Sequence, residues 1–229
     1  MDPMRDNSDS PMADAALRSL IDAVSFAAQK HRDQRRKDHH SSPYVNHPIA
    51  LAHVLAFEAN VTDRVVLTAA VLHDTIEDTG VTAAELAERF GADVARVVEE
   101  VSDDKSLSSE RRKLAQIEHA PHLSNPARLV KLADKICNLR DVADNPPKDW
   151  SLERRREYFD WAGLVIDGLR GPHRDLEAIF DAACAARPSA RCTRAFRSPG
   201  APTDSSRSSA SVATSAVRSP WAARESTSA

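Results

Sequence analysis

The 229-residue chain has few cysteines, few glycines and no long apolar run. Its three cysteines stand alone without a CxxC pair, so neither a disulfide framework nor a thiolate zinc site is expected. Only six glycines occur, and none forms a glycine-rich phosphate loop. No apolar run approaches the roughly 20 residues that a membrane helix needs, and the polar N-terminus has no signal-peptide core. We therefore expect a cytoplasmic location and no membrane partner.

The composition changes sharply near residue 187, although the formal net charge of the whole chain is only −3. From there to the end, serine and arginine dominate, and Asp204 and Glu225 are the only acids. Residues 187–229 are therefore predicted to be a disordered Ser/Arg/Ala-rich tail, and residues 1–12 a disordered N-terminus. A basic tail could contact nucleic acid or acidic surfaces. The composition favours a solvated extension without a specific nucleic-acid partner.

The residues in between, 13–186, follow the periodicity of helices and show no hairpin or βαβ pattern. Thr82 and Glu85 have the spacing of a capping box, and Gly91 marks a helix end. Helices are predicted around residues 17–28, 48–59, 62–80, 82–91, 93–101, 110–119, 126–143, 151–170 and 173–186. In the first of them, Leu17, Leu20, Ile21, Val24 and Ala28 follow the apolar spacing. The fold class is all-α, with one domain.

A polar cluster ends the apolar stretch "VLTAAVLHDTIEDTG" at residues 65–79. His73, Asp74, Glu77 and Asp78 would be costly to bury without partners. On a continuous helix, His73 and Glu77 share one face because they are four residues apart, and so do Asp74 and Asp78. This spacing suits a metal ion bound by His73 and Asp74, with the two later acids placed to orient and deprotonate a water molecule.

Further ligands for such an ion are available in two other predicted helices. One candidate is His47 in "PYVNHPIA", and another is Asp134 in "VKLADKICNL", where an unpaired acid between Leu132 and Ile136 would be out of place. Two imidazoles and two carboxylates suit manganese, iron, zinc or cobalt better than a structural zinc site. The histidine of a His-Asp pair alone is more often a hydrogen-bonded core residue than a metal ligand, so the metal interpretation depends on the whole set.

A basic segment, "KHRDQRRKD", precedes the His47 region. Arg35, Arg36 and Lys37 could form a solvated helix end, where cations favour the helix dipole. They could also form an anion clamp, because arginine binds phosphate with two donors and stacks on bases. Both interpretations remain open from the residues alone.

Taken in order, "PYVNHP", "LHDTIEDT" and "LVKLADKICNLRD" resemble the HD-domain hydrolases of guanosine tetraphosphate (ppGpp). The segments "AAQKHRDQRRKD", "EEVSDDKSL" and "EYFDWA" look like the small stand-alone alarmone hydrolases of the metazoan type rather than the long RelA/SpoT enzymes. The resemblance covers about residues 15–183. It implies a single HD-domain helical bundle at residues 13–186.

The resemblance also implies a set of site residues. One Mn²⁺ per chain would be held by His47, His73, Asp74 and Asp134, and Glu77 and Asp78 would activate the attacking water. Substrate contacts are expected from Arg36, Lys37, Asn138, Arg154 and Tyr158.

The implied reaction is Mn-dependent hydrolysis of the 3′-diphosphate of ppGpp or pppGpp to GDP or GTP and pyrophosphate, which lowers alarmone levels in the stringent response. An alternative is an NADPH 2′-phosphatase, or another nucleotide phosphohydrolase using the same site. A third hypothesis is a nucleotide- or nucleic-acid-binding module whose contact is the basic tail. The sequence leaves the oligomeric state open.

Overall fold

A computed structural model describes residues 11–189, which form ten α-helices. No strand forms in this range, where an isolated antiparallel bridge pairs Arg35 with Pro43. The all-α prediction is therefore confirmed. The helices are α1 (Pro11–Lys30), α2 (Asn46–His53), α3 (Arg64–Leu72), α4 (Thr75–Thr79), α5 (Ala83–Phe90), α6 (Ala92–Val101), α7 (Ser109–His119), α8 (Asn125–Asp144), α9 (Leu152–Asp167) and α10 (Arg174–Ala185). A π-helical turn, Val54–Glu58, extends α2, and a 3-10 turn, Ala120–His122, follows α7.

Polar side chains set several of the helix starts. The Asp63 carboxylate accepts hydrogen bonds from the amides of Val65 and Val66 at the start of α3. The Thr82 hydroxyl accepts from the Glu85 amide at 3.1 Å, as the capping pattern predicted, and satisfies an otherwise free helix donor. Gly91 separates α5 from α6 at a φ of 97°, a left-handed conformation that favours glycine.

The core is built around α3 and α8, which bring two parts of the site together. Helix α3 packs against α1, α2, α6 and α8. Ala69 and Ala70 are completely buried, so small side chains let these helices approach closely. Leu132, Ile136 and Leu139 of α8 are also buried, and each contributes about 1.5–3 kcal/mol relative to an exposed position. This packing holds the middle of α8 against the end of α3.

The predicted single helix over residues 62–80 is wrong. Helix α3 ends at Leu72, and α4 begins at Thr75. Between them Asp74 has φ −99° and ψ 0°, outside the α-helical region. The Thr75 hydroxyl donates to the Leu72 carbonyl at 2.6 Å and satisfies an acceptor at the break. His73 and Asp74 therefore occupy a corner rather than the side of a helix.

The buried face of α1 agrees only in part with the expected one, in that Leu20 and Val24 pack against the core. Leu17 and Ile21 follow helical spacing but are 60% and 61% exposed. The helix instead fully buries Ala23, Phe26 and Ala27, and it packs against α3. Two neighbouring faces of α1 are apolar, so periodicity alone did not identify the buried one.

The predicted terminal segments lie largely outside the described residues. For the N-terminus this applies to residues 1–10, because α1 already begins at Pro11. For the tail it applies from residue 190 onward. The first tail residues contact α9: Arg187 forms an ion pair with Asp160 at 2.6 Å, and Arg156 donates to the Pro188 carbonyl. Within residues 11–189, no helix is both long enough and apolar enough to cross a bilayer.

Candidate metal centre

Three buried side chains, two from α2 and α8 and one from the corner after α3, converge at one point. His47, His73 and Asp134 each offer a ligand atom, and these atoms lie within 4.8 Å of one another. The Asp134 Oδ1 atom is 3.2 Å from His47 Nε2 and 3.9 Å from His73 Nε2. Three of the four predicted ligands therefore meet at one point.

The His73 ring is oriented in the way that metal-binding histidines usually are. Its Nδ1 atom donates to the Ala70 carbonyl at 2.9 Å, which leaves Nε2 as the free ring nitrogen. Nε2 is buried and makes no hydrogen bond. A buried polar atom without a partner is unfavourable, and a cation at this position would remove the penalty.

Asp74, the fourth predicted ligand, lies beside this nitrogen. Its Oδ2 atom is 2.8 Å from His73 Nε2 and accepts a hydrogen bond from the Tyr44 hydroxyl. Burial disfavours the charged carboxylate, but the His73 imidazole outweighs this effect and holds the pKa of Asp74 well below its usual range. Burial also disfavours the imidazolium, but Asp74 raises the pKa of His73 to about 9.

The Asp134 carboxylate is held by neighbours on its own helix. Asn138 Nδ2 donates to Oδ1 at 2.6 Å, and Lys135 Nζ donates to Oδ2 at 3.1 Å. The Lys135 ammonium also lies over the Trp161 ring, 4.7 Å from its centroid. Burial opposes ionisation of Asp134, but Lys135 and His47 hold its pKa well below the ordinary value. The carboxylates of Asp74 and Asp134 thus stay ionised beside the imidazoles of His47 and His73, a donor set that fits a divalent cation.

Glu77 and Asp78 lie on α4 in different environments. Glu77 Oε2 accepts from the Asp103 amide at 3.1 Å, while burial and the charges of Asp103, Asp74 and Asp78 raise the pKa of Glu77. Asp78 accepts from Gln34 Nε2 at 2.7 Å and from the Lys105 ammonium. Two neighbouring acids with such unequal surroundings suit two different roles.

A cavity of about 710 Å³ opens beside the centre. His47 and Asp78 line its inner part. Four of the five predicted substrate residues also line it: Arg36, Lys37, Asn138 and Tyr158. The fifth, Arg154, lies over the Trp150 ring in an adjoining cavity of about 370 Å³ that shares Lys37 with the first.

The basic segment forms part of the cavity wall and is not a helix end. It follows α1 as a loop held by the Arg35–Pro43 bridge and by a hydrogen bond from the Arg36 amide to the Ser42 carbonyl. The Arg36 guanidinium donates to Asn138 Oδ1 at 3.1 Å and to Asp141. Its position agrees with the anion-clamp interpretation.

Sequence reasoning assigned no role to several residues that contact the predicted ones, among them Tyr44, Gln34 and Lys105. Tyr44 lies only three positions before His47, within a quoted motif, so a signal for it was present. Gln34 and Lys105 reach Asp78 from 44 and 27 positions away, and no local spacing indicates them. Only the tertiary fold brings them to α4.

Comparison with known proteins gives concordant results. A family model described as "HD domain" matches residues 23–160. The guanosine-3′,5′-bis(diphosphate) 3′-pyrophosphohydrolase MESH1 of Xenopus tropicalis is 52% identical over 169 residues, which cover 74% of this chain and 93% of the relative. The human protein of that name is 56% identical over 158 residues, covering 69% and 88%. A solved structure described as "A metazoan ortholog of SpoT hydrolyzes ppGpp and plays a role in starvation responses" has a TM-score of 0.72 and 47% identity, covering 74% of this chain and 95% of that one.

Proposed function

Because the chain belongs to the HD-domain family, we propose that it hydrolyses the 3′-diphosphate of guanosine 3′,5′-bis(diphosphate). Water attacks the phosphorus bonded to the ribose 3′ oxygen, the bond between that phosphorus and the 3′ oxygen breaks, and the 3′ oxygen takes up a proton. The products are pyrophosphate and GDP from ppGpp, or pyrophosphate and GTP from pppGpp, so the alarmone level falls. The observation that carries this proposal is the buried cluster of His47, His73 and Asp134 next to a cavity lined by Arg36 and Lys37.

We infer that one Mn²⁺ per chain is held by His47, His73, Asp74 and Asp134. Two imidazoles and two carboxylates form a mixed nitrogen and oxygen set that suits this ion. The unpartnered Nε2 atom of His73 supports a cation at this point. A bound divalent cation supplies Lewis acidity toward the phosphate and lowers the pKa of water.

Glu77 is the group placed to accept the proton of the attacking water. Its raised pKa brings it closer to neutrality, where a general base works best. The Asp103 amide fixes one of its oxygens. Asp78, held by Gln34 and Lys105, orients the same water.

The cavity wall provides the groups that bind an anionic nucleotide. Arg36 and Lys37 offer positive charge at the phosphates, and the planar Arg36 fork suits two-donor contacts. Asn138 lies four residues after Asp134 on the same face of α8 and also lines the cavity, so we assign it to the ribose next to the reacting phosphate. Tyr158 lines the same cavity, and Arg154 extends the binding surface into the adjoining one.

The proposal is tested by turnover of ppGpp and of NADPH by the purified full-length chain with Mn²⁺. We expect pyrophosphate release from ppGpp that stops when the ion is chelated. If ppGpp stays intact while NADPH loses its 2′-phosphate, the 2′-phosphatase alternative replaces this proposal. RNA binding without turnover of either nucleotide would support the binding-module alternative. Glu118→Gln, an exposed acid on α7 paired with Arg111, is the surface control and should leave turnover unchanged.

A further inference from the structure

One short loop contacts both acids proposed to act on water. The loop between α6 and α7 covers residues 102–108. Its Asp103 amide donates to Glu77 Oε2 at 3.1 Å, and its Lys105 ammonium donates to Asp78 Oδ1. Adjacent acids on α4 are therefore held by residues two positions apart on a different segment.

The base of this loop is fixed from behind. Gln116 Nε2 on α7 donates to Asp103 Oδ2 at 2.6 Å. Lys131 Nζ on α8 lies 3.7 Å from Asp103 Oδ1 and donates to the Val101 carbonyl at 2.9 Å. The Lys131 side chain is only 12% exposed. These contacts from two helices fix the backbone from which Lys105 extends.

Asp78 is held from both sides. Gln34 binds its Oδ2 atom and Lys105 binds its Oδ1 atom. The Asp78 side chain is 17% exposed and lines the large cavity, whereas Lys105 is 50% exposed. Two donors on different oxygens fix the plane of a carboxylate better than one, and a charged donor strengthens the contact.

Lys105 is also a cation beside a crowded group of acids. Glu77 faces Asp74, Asp78 and Asp103, whose charges all disfavour its ionised form. Burial works against the Lys105 ammonium, but its bond to Asp78 and the charges of Glu77 and Asp74 outweigh this and raise the pKa of Lys105. Lys105 therefore stays charged over the working pH range and offsets negative charge beside Glu77 and Asp78.

We propose that Lys105 is a positioning residue of this site, which acts through Asp78 by fixing its carboxylate and by offsetting negative charge beside Glu77. The inference rests on the proposed function, because it assumes that Glu77 and Asp78 act on the attacking water. Lys105 itself contacts neither the predicted metal ligands nor the other cavity-lining residues through any hydrogen bond in the described part of the chain. Its effect should therefore appear in kcat rather than in KM.

The test measures kcat and KM of the full-length chain for ppGpp with Mn²⁺ from pH 5 to 9. Lys105→Met should lower kcat about 10- to 100-fold, the effect of displacing a water-activating group by a fraction of an ångström to one ångström. KM should stay within about threefold. The acid limb of the pH profile should move to higher pH, because Glu77 then loses a nearby cation. Lys105→Arg keeps the charge and should recover most of the rate.

The matched control is Lys30→Met, which removes a lysine of the 3.0 Å pair with Glu85, away from the site. It should resemble wild type. Lys105→Gln is a second uncharged variant, and a thermal melt of each protein shows that it is folded. The proposal is overturned if Lys105→Met keeps wild-type kcat and acid limb, if only KM rises, or if Lys105→Arg is as slow as Lys105→Met. Failure of the wild type to release pyrophosphate would instead refute the proposed function itself.

Discussion

The Nε2 atom of His73 lies 2.8 Å from Oδ2 of Asp74, yet it makes no hydrogen bond. The two residues are consecutive, and on a continuous helix their side chains would diverge by roughly 100°. They converge because the chain leaves the helix between Leu72 and Thr75. The break in the helix is therefore what brings these two side chains together.

Binding of Mn²⁺ should stabilise the folded chain. The ion would bind to the Nε2 atom of His73, which has no hydrogen-bond partner, and would compensate the negative charges of Asp74 and Asp134. Saturation at about 100 times the Kd is worth about 2.7 kcal/mol, which raises Tm by several degrees. The measurement is a thermal melt with Mn²⁺ and with chelator, on wild type and His73→Ala. An equal shift in both proteins would contradict the assigned ligand.

Glu77→Gln should abolish most of the activity while leaving the chain at least as stable at pH 7. The loss should be about 100-fold or more, since general-base groups contribute about 10²–10⁴. Glu77 has a raised pKa in the folded chain, so the folded state binds its proton more tightly than the unfolded state. Its ionisation therefore costs stability as the pH rises through and above the unfolded value. Glutamine removes that cost and can still accept from the Asp103 amide.

Melts of wild type and Glu77→Gln at pH 4 and pH 7 check the sign. The stability advantage of the variant should be present at pH 7 and absent at pH 4, where Glu77 is largely protonated in both the folded and the unfolded wild type. If the stability of Glu77→Gln relative to wild type instead falls between pH 4 and pH 7, then burial does not disfavour the ionised form of Glu77.

Tyr44→Phe should weaken Mn²⁺ binding by about 10- to 100-fold, the usual effect of removing a hydrogen-bond partner of a metal ligand. The Tyr44 hydroxyl donates to Asp74, and phenylalanine keeps the ring packed against His47. The matched control is Tyr158→Phe, the only other tyrosine in the chain, which lines the far part of the cavity. Calorimetric titration with Mn²⁺ compares them, and equal affinities of the two variants would count against Asp74 as a ligand.

Arg36→Lys should raise KM for ppGpp even though it keeps the charge. The Arg36 guanidinium bridges Asn138 and Asp141 on α8, and lysine cannot present two donors in one plane. The loss of one charged hydrogen bond is worth about 1.5–3 kcal/mol, or about 10- to 100-fold in kcat/KM. Steady-state kinetics measure it, with Arg96→Lys, an exposed partner of Asp93, as the control. Full activity of Arg36→Lys would mean that only charge is required.

The sequence predicted the helices well because their start and stop signals are local. Thr82 and Gly91, for example, mark α5 through one hydrogen bond and one backbone conformation. His47, His73 and Asp134 were identifiable because each is a polar group in an otherwise apolar segment. The break at His73–Asp74 was not, since the residues around it have helical periodicity on both sides.

Tertiary packing determines that Leu17 and Ile21 are exposed and that Lys105 contacts Asp78. Helix α1 turns Ala23 and Ala27 inward because α3 offers small residues there, and no pattern within α1 indicates this. Lys105 reaches Asp78 only because α6, α7 and α8 fix the loop before it. Information of this kind lies between segments and not within them.

The most direct test of the central claim is product analysis after incubation of ppGpp and Mn²⁺ with the wild-type chain and with Glu77→Ala/Asp78→Ala. We predict equal amounts of GDP and pyrophosphate from the wild type, and at most a residual rate from the double variant. Undiminished pyrophosphate release by the double variant would contradict the assigned mechanism, and intact ppGpp in the wild-type reaction would contradict the function.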